Sequence, residues 1–373
     1  MESYPNIFDY ATKEFTQDAI ICWLLSCEKT CISFLNRFIF KEKPIEKVTF
    51  EYGPSKQVSF IDVYANIEID GKYYPLIFEN KANTTLHDDQ LQKYCDTVLD
   101  WYKKKDCLGK IYYIYFKTGY LSNKEKNFVQ NEYCRSIENK DKFHKEPVFI
   151  TAEDMQKFIS DYKDIDILNE YNQYLVNLIE AQKENLNNWY KPESLNTHIG
   201  QGKFWENVYG DDTVYNTANS GSVEYSYKNL ITYKDKNENI LFWLLFRFEP
   251  RWVREGKGKD KYRAQPYIQL QLYRHNKHYD KNNDWYSTVQ KCCKNIKSEE
   301  SPEYGKGRKR KPDYNGAEIF RITFTPEKNG KFFTDCFREL SRLITDKLSE
   351  RKVIEKLFEN ADEIKPECYN QES

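Results

Sequence analysis

Residues 61–81, IDVYANIEIDGKYYPLIFENK, leave the backbone few choices. Two runs rich in β-branched and aromatic side chains flank Asp70-Gly71, the pattern of two antiparallel strands closed by a tight turn. Pairing about that turn sets position 62 opposite about 79, because an antiparallel partner doubles back. The second arm ends in FENK, so Glu79 and Lys81, two residues apart, share one face at the end of an otherwise apolar strand. Charged groups at the margin of a core cost free energy unless they are paired, hydrated or bound to a metal. Asp62, Glu79 and Lys81 are therefore expected to meet at one end of the hairpin. Two carboxylates that close repel each other unless a divalent cation lies between them, and oxygen ligands of this kind suit Mg²⁺. Such an ion polarises a phosphate oxygen and acidifies water, and Lys81 is placed to orient that water, take its proton or neutralise developing charge.

The segments around the hairpin alternate between the two periods. Residues 10–39 carry apolar side chains at helical spacing, with Ile20, Ile21, Leu24, Leu25 and Cys27 on one face and Thr12 or Thr16 as the cap. KVTFEYG and QVSFIDVYANIEI read as strands before the turn. A helix over about 86–104, the strand KIYYIYFK, two helices around the short strand PVFI, and a long helix over 165–189 follow. The order predicts an α/β fold with a mixed sheet flanked by helices. Character changes after Pro192, and two domains are expected, 1–195 and 196–373. The second reads as α+β: strands in VEYSYKNLITY, ILFWLLFRFEP and YRAQPYIQLQLYRH, a helix over 285–296, the strand EIFRITF, and an amphipathic helix over 330–358.

The aspartate of IDV, separated by a hairpin from FENK, resembles the signature of the PD-(D/E)XK nuclease superfamily, over about residues 5–150. QLQKY on the next helix is similar to the QxxxY motif of nuclease domains attached to recombination helicases, through Gln90 and Tyr94. ATKEFTQDAIICWLL is similar to the opening of a bacterial branch whose first-helix glutamate reaches the metal site, which points to Glu14, with Asp18 one turn on as the alternative. His87 stands where that branch has a histidine before the glutamine, as a phosphate or substrate contact. The resemblance implies a restriction-endonuclease-like fold and hydrolysis of phosphodiesters with Mg²⁺, or Mn²⁺ in its place. Glu14, Asp62, Glu79 and the Asn80 carbonyl would hold the ion, and Lys81 would manage the nucleophile. The implied substrate is double-stranded DNA, the implied role restriction or phage defence, and a homodimer would cut both strands. The residue before Asp62 is Ile61 and not the motif proline, which has no catalytic role.

Composition limits the partners. Against 57 Lys and Arg stand 58 Asp and Glu, so no global basic field draws a polyanion and contacts must come from local clusters. GKGRKRKP supplies one such cluster, with Arg308, Lys309, Arg310 and Lys311 as phosphate contacts, and RWVREGKGKDKYR a second. The 10 cysteines form no CxxC pair and read as reduced thiols. No apolar run approaches a membrane span and the N-terminus lacks a signal-peptide pattern, so a soluble cytoplasmic protein is expected. Two other readings fit the same residues: a non-catalytic nucleic-acid-binding or regulatory protein on this fold, and a nuclease for structured RNA.

Overall fold

The computed structural model describes residues 6–9, 14–82, 86, 90–102, 107–138, 140–209, 215–216, 226–249, 251–254, 262–274, 285–294, 316–323, 330–353 and 365–368. Two compact units divide the chain, Met1–Lys183 and Glu184–Ser373. Residues 184–195, assigned to the first domain from sequence, fall in the second unit, because Trp189 and Leu195 pack into its core.

In the first unit, helices α1 (Glu14–Ser26) and α2 (Glu28–Phe38) precede strands β1 (Thr49–Val58), β2 (Ile61–Ile69) and β3 (Lys72–Lys81). Then come α3 (Gln90–Tyr102), β4 (Tyr112–Lys117), α4 (Asn123–Ser136), β5 (Val148–Thr151), α5 (Ala152–Ile159) and α6 (Asp166–Asn187). The sheet order is β1-β2-β3-β4-β5; β1, β2 and β3 are antiparallel neighbours, while β3, β4 and β5 run parallel. This is the mixed, helix-flanked, restriction-endonuclease-like sheet expected from the sequence. Alternate side chains divide between two layers of core. Val63, Ala65, Leu76, Phe78, Ile114 and Phe116 pack with α1, α2, α5 and α6; Tyr64, Ile77, Tyr113 and Tyr115 pack with α3 and α4.

The hairpin turn sets the register. Asp70 and Gly71 have φ of 51° and 74°, and this left-handed pair matches the twist of the flanking strands. The ladder runs from Ile69↔Lys72 to Val63↔Phe78, and one further step sets Asp62 beside Glu79. Elsewhere the boundaries moved. Thr16 lies inside α1 and Thr12 lies outside the described residues, while Cys27 adopts an extended conformation that ends α1 and opens α2. Gln57 and Val58 belong to β1, because Ser59 and Phe60 take φ of 50° and 73° and turn the chain there. Helix α3 is described over Gln90–Tyr102, and residues 87–89 and 103–104 of the helix expected over 86–104 lie outside the described residues.

Thr151 closes the joint between β5 and α5 with a capping box. Its hydroxyl accepts from the Asp154 N–H at 3.2 Å, and Asp154 accepts from the Thr151 N–H at 3.1 Å. Thr151→Ala should lower stability by about 1 kcal/mol in urea unfolding; an unchanged midpoint would remove the cap from the account.

The second unit holds α7 (Pro192–Leu195), α8 (His198–Tyr209), β6 (Tyr215–Asn216), β7 (Ser226–Lys234), β8 (Ile240–Glu249), β9 (Trp252–Arg254), β10 (Tyr262–Ala264) and β11 (Tyr267–Arg274). After these come α9 (Trp285–Lys294), β12 (Gly316–Thr323), α10 (Gly330–Ser349) and β13 (Lys365–Cys368). Its antiparallel sheet has the order β12-β11-β8-β7-β13 with β6 on β7, and β9 pairs β10 separately. Phe204 and Trp205 of α8 meet Phe246 and Phe248 of β8 and Phe337 of α10, with ring centroids of Phe246 and Phe337 4.9 Å apart. Gly200 is required where α8 crosses α7, since a Cβ there would lie 2.0 Å from the Ser194 carbonyl oxygen. Among the described residues no helix is long and apolar enough to cross a membrane. His87, the segment 305–312, and 255–261 of the second basic stretch lie outside the described residues.

Candidate active site

At the end of the hairpin the side chains of β3 part to its two faces. Glu79 and Lys81 lie on the α3 face, and Asn80 lies on the α1 face. Glu79 is fully buried; its Oε1 is ion-paired with Lys81 Nζ and accepts from Gln90 Nε2 at 3.0 Å, whereas its Oε2 has no hydrogen-bond partner. Asp62 accepts the main-chain N–H of Asn80 at 2.8 Å through Oδ2 and Gln57 Nε2 at 3.3 Å through Oδ1. Helix α1 brings two more carboxylates. Glu14 Oε1 accepts the N–H of Ala82, just beyond β3, at 3.0 Å, and Asp18 Oδ1 accepts from the Asn80 side chain at 2.6 Å. Gln57 also reaches Asp18 Oδ2, at 3.5 Å.

Gln90 and Tyr94, one turn apart on α3, act together. Gln90 donates to the Tyr94 hydroxyl as well as to Glu79, and Tyr94 donates to the Phe60 carbonyl at 2.6 Å. Tyr94 thereby pins a turn in which Gln57, Ser59 and Phe60 all have positive φ, between 50° and 73°, without a glycine. Such conformations are costly for side-chain-bearing residues and persist where the surroundings over-determine them. Across the parallel pair, Lys81 neighbours Lys117 of β4, which is fully buried and bonded to Glu125 of α4 at 2.9 Å.

Burial dominates the electrostatics. It raises the Glu79 carboxyl to about 7, opposed by Lys81 and reinforced by Asp62. It raises Asp18 to about 6, opposed by the Asn80 hydrogen bond, and lifts Asp62 above its ordinary value against the Asn80 N–H. Burial alone would lower the Lys81 ammonium, but Glu79, Asp62 and Glu14 around it hold it above its ordinary value. A carboxyl with a raised folded-state pKa binds its proton more tightly folded than unfolded, so its contribution favours folding at low pH and is lost as pH climbs from about 4 to 7. For Asp18 the shift from 3.8 to about 6 corresponds to a penalty on the order of 3 kcal/mol at pH 8. Asp18→Asn, which keeps the acceptor for Asn80, should therefore stabilise the metal-free protein at pH 8 and change it little below pH 4. Equal effects at both pH values in thermal unfolding would refute the assignment.

Residues 6–190 match the family model of the PD-(D/E)XK nuclease superfamily. Through this half, the chain belongs to the PD-(D/E)XK nuclease superfamily. No curated protein and no solved structure matches it. PD-(D/E)XK nucleases typically use divalent metals such as Mg²⁺. Among the described residues no three His, Cys, Asp or Glu side chains form a ready-made metal cage. Asp62 and Glu79 fit an ion: the unpartnered, fully buried Glu79 Oε2 beside Asp62 is a costly arrangement that a cation would relieve. Two carboxylates with a main-chain oxygen also suit Mg²⁺, which keeps several of its waters. Glu14, Asp62, Glu79, Lys81, Gln90 and Tyr94, singled out from sequence, lie together around the end of β3. Sequence reasoning missed Gln57, which bridges Asp18 and Asp62, and the Tyr94–Phe60 bond; neither has a spacing signal, because both span a turn that the strand pattern concealed.

Proposed function

We propose that the chain is a Mg²⁺-dependent DNA endonuclease, with Mn²⁺ able to replace Mg²⁺, that hydrolyses phosphodiesters in the N-terminal unit. The observation that carries this reading is the fully buried Glu79 beside Asp62 and Lys81, with one carboxylate oxygen left without a partner. Asp62, Glu79 and the Asn80 main-chain oxygen would hold the ion, with Glu14 completing the set from α1. When bound, the ion supplies Lewis-acid polarisation of the phosphate and acidifies an attacking water. Lys81 Nζ orients that water and offsets charge gathering on the phosphoryl oxygens. Gln90 holds Glu79 Oε1, and Tyr94 holds the turn that leads into Asp62. Cutting both strands of a duplex in one event takes two sites, so the working form is a homodimer. Restriction of foreign DNA or phage defence is the biological role that suits a nuclease of this kind.

The test is incubation of the full chain with plasmid DNA, phage genomic DNA and total RNA in Mg²⁺, Mn²⁺ or EDTA, beside Glu79→Ala/Lys81→Ala. DNA cleavage that needs the ion and disappears in the variant supports the reading. RNA cleavage in its place would change the substrate, and cleavage that survives the variant would overturn the site. Glu14→Gln and Asp18→Asn separate the two α1 carboxylates: Glu14→Gln should lower cleavage about 10²-fold or more, with Asp18→Asn well above it. The reverse order would make Asp18 the ligand.

A further inference from the structure

On the α3 face of the first unit's sheet, a cleft of about 300 Å³ is lined by Glu51, Tyr52, Val58, Tyr64, Trp101 and Tyr102. Four of these six are aromatic. Tyr52 and Trp101 are 44% and 39% exposed, while Tyr64 and Tyr102 are buried. The Tyr64 ring stands edge-on to Trp101 with centroids 5.1 Å apart and lies 5.7 Å from Tyr52. Beneath the rings runs a polar network. The Tyr64 and Tyr102 hydroxyls share a hydrogen bond of 2.9 Å, and the Asn66 amide donates to Tyr102 at 2.6 Å and to the Glu51 carboxylate. Those two acceptors fix which way the amide points, and leave its Oδ1 fully buried with no partner. An unmet buried acceptor of this kind carries a desolvation cost.

We propose that this cleft receives a nucleobase of the substrate, unstacked from its neighbours a few nucleotides from the cut phosphate. The inference rests on the nuclease reading above. The half-exposed rings offer stacking surface to a flat heterocycle, which any base can use. Among the cleft's lining groups the Glu51 carboxylate is an acceptor and so favours an exocyclic amine, as on adenine or cytosine, over thymine. Position also agrees. Tyr64 follows Asp62 by two residues of β2, about 7 Å, and Trp101 and Tyr102 follow Tyr94 by seven and eight residues of α3, about 10–12 Å. At about 3.4 Å per nucleotide along one strand, the cleft lies two to four steps from the reacting centre.

The test uses the full chain with Glu79→Ala/Lys81→Ala, which removes cutting, in EDTA. Twelve-nucleotide single strands of dA, dC or dT, and an abasic strand of equal length, are titrated and followed by fluorescence anisotropy. Binding of dA and dC about tenfold tighter than the abasic strand, with dT below both, is the expected result. Adding Tyr52→Ala or Glu51→Gln, two changes at exposed positions, should each erase that preference and leave abasic binding as it was. Equal affinity for all four strands, or a preference untouched by both changes, overturns the proposal. Cleavage by the native chain without base preference removes the cleft and keeps the nuclease; base preference without cleavage removes the nuclease and keeps the cleft.

Discussion

Glu79→Gln is expected to reduce cleavage by about 10²–10⁴-fold while leaving the protein as stable as the native chain, or more so, near pH 8. Glutamine keeps the volume and the acceptor that Gln90 and Lys81 use, so the fully buried position stays packed. What it removes is a negative charge that burial has already pushed towards protonation, raising its pKa to about 7. Removing that charge relieves repulsion with Asp62, and Lys81 retains Asp62 and Glu14 around its ammonium. Lys81→Met behaves differently: it leaves Glu79 without its counter-charge, so stability should fall more at pH 8 than at pH 5, where the carboxyl can take a proton. Parallel melting and cleavage assays separate these effects. A Glu79→Gln protein that cuts at near-native rate, or one that melts far below the native chain, would contradict this account of the buried carboxylate.

The second large effect lies one strand over. Lys117 is fully buried at the end of β4, and Glu125 Oε1 accepts both from it at 2.9 Å and from the Tyr115 hydroxyl at 2.6 Å. Lys117→Met strands a largely buried carboxylate and should cost about 3–5 kcal/mol. Lys117→Met/Glu125→Gln removes both charges and should recover most of that loss, with a coupling of about 2 kcal/mol or more in a double-mutant cycle. Burial lowers the Lys117 pKa from its ordinary 10.5. Between the lowered value and 10.5 the unfolded chain binds more protons than the folded one, so the native protein should gain stability over that window and Lys117→Met should not. Additive single-variant effects would mean that the pair is not energetically coupled.

The hairpin was legible because a turn, a strand period and two apolar runs all agreed on one register, and the register alone brings Asp62 to Glu79. Glu14, Gln90 and Tyr94 were singled out only by their likeness to motifs, since nothing in helical spacing says which strand end a helix start will meet. The Asp18–Asn80 and Lys117–Glu125 contacts join residues whose partners are set by layer packing, and no local pattern carries that. The first turn of the sheet was misread because Val58, apolar in an alternating run, continues the strand signal through a bend made by left-handed Ser59 and Phe60. In the second unit, α8 was missed because Gly200 and Gly202 interrupt its periodicity, and β13 because four residues including a proline look like a tail.

The two-residue turn at Asp70-Gly71 imposes a parity on the hairpin. Asp62 and Glu79 are 17 positions apart, and each cross-strand pair between them is likewise an odd number apart. Lengthening both arms by one residue keeps the acidic pair opposed and merely moves the tip outward. Adding a single residue to one arm, with the turn unchanged, would slide every pair beyond it and send Glu79 to the face now held by Asn80. The hairpin can therefore grow or shrink as a ruler while its business end stays fixed, but only by even increments in the separation of its two acids.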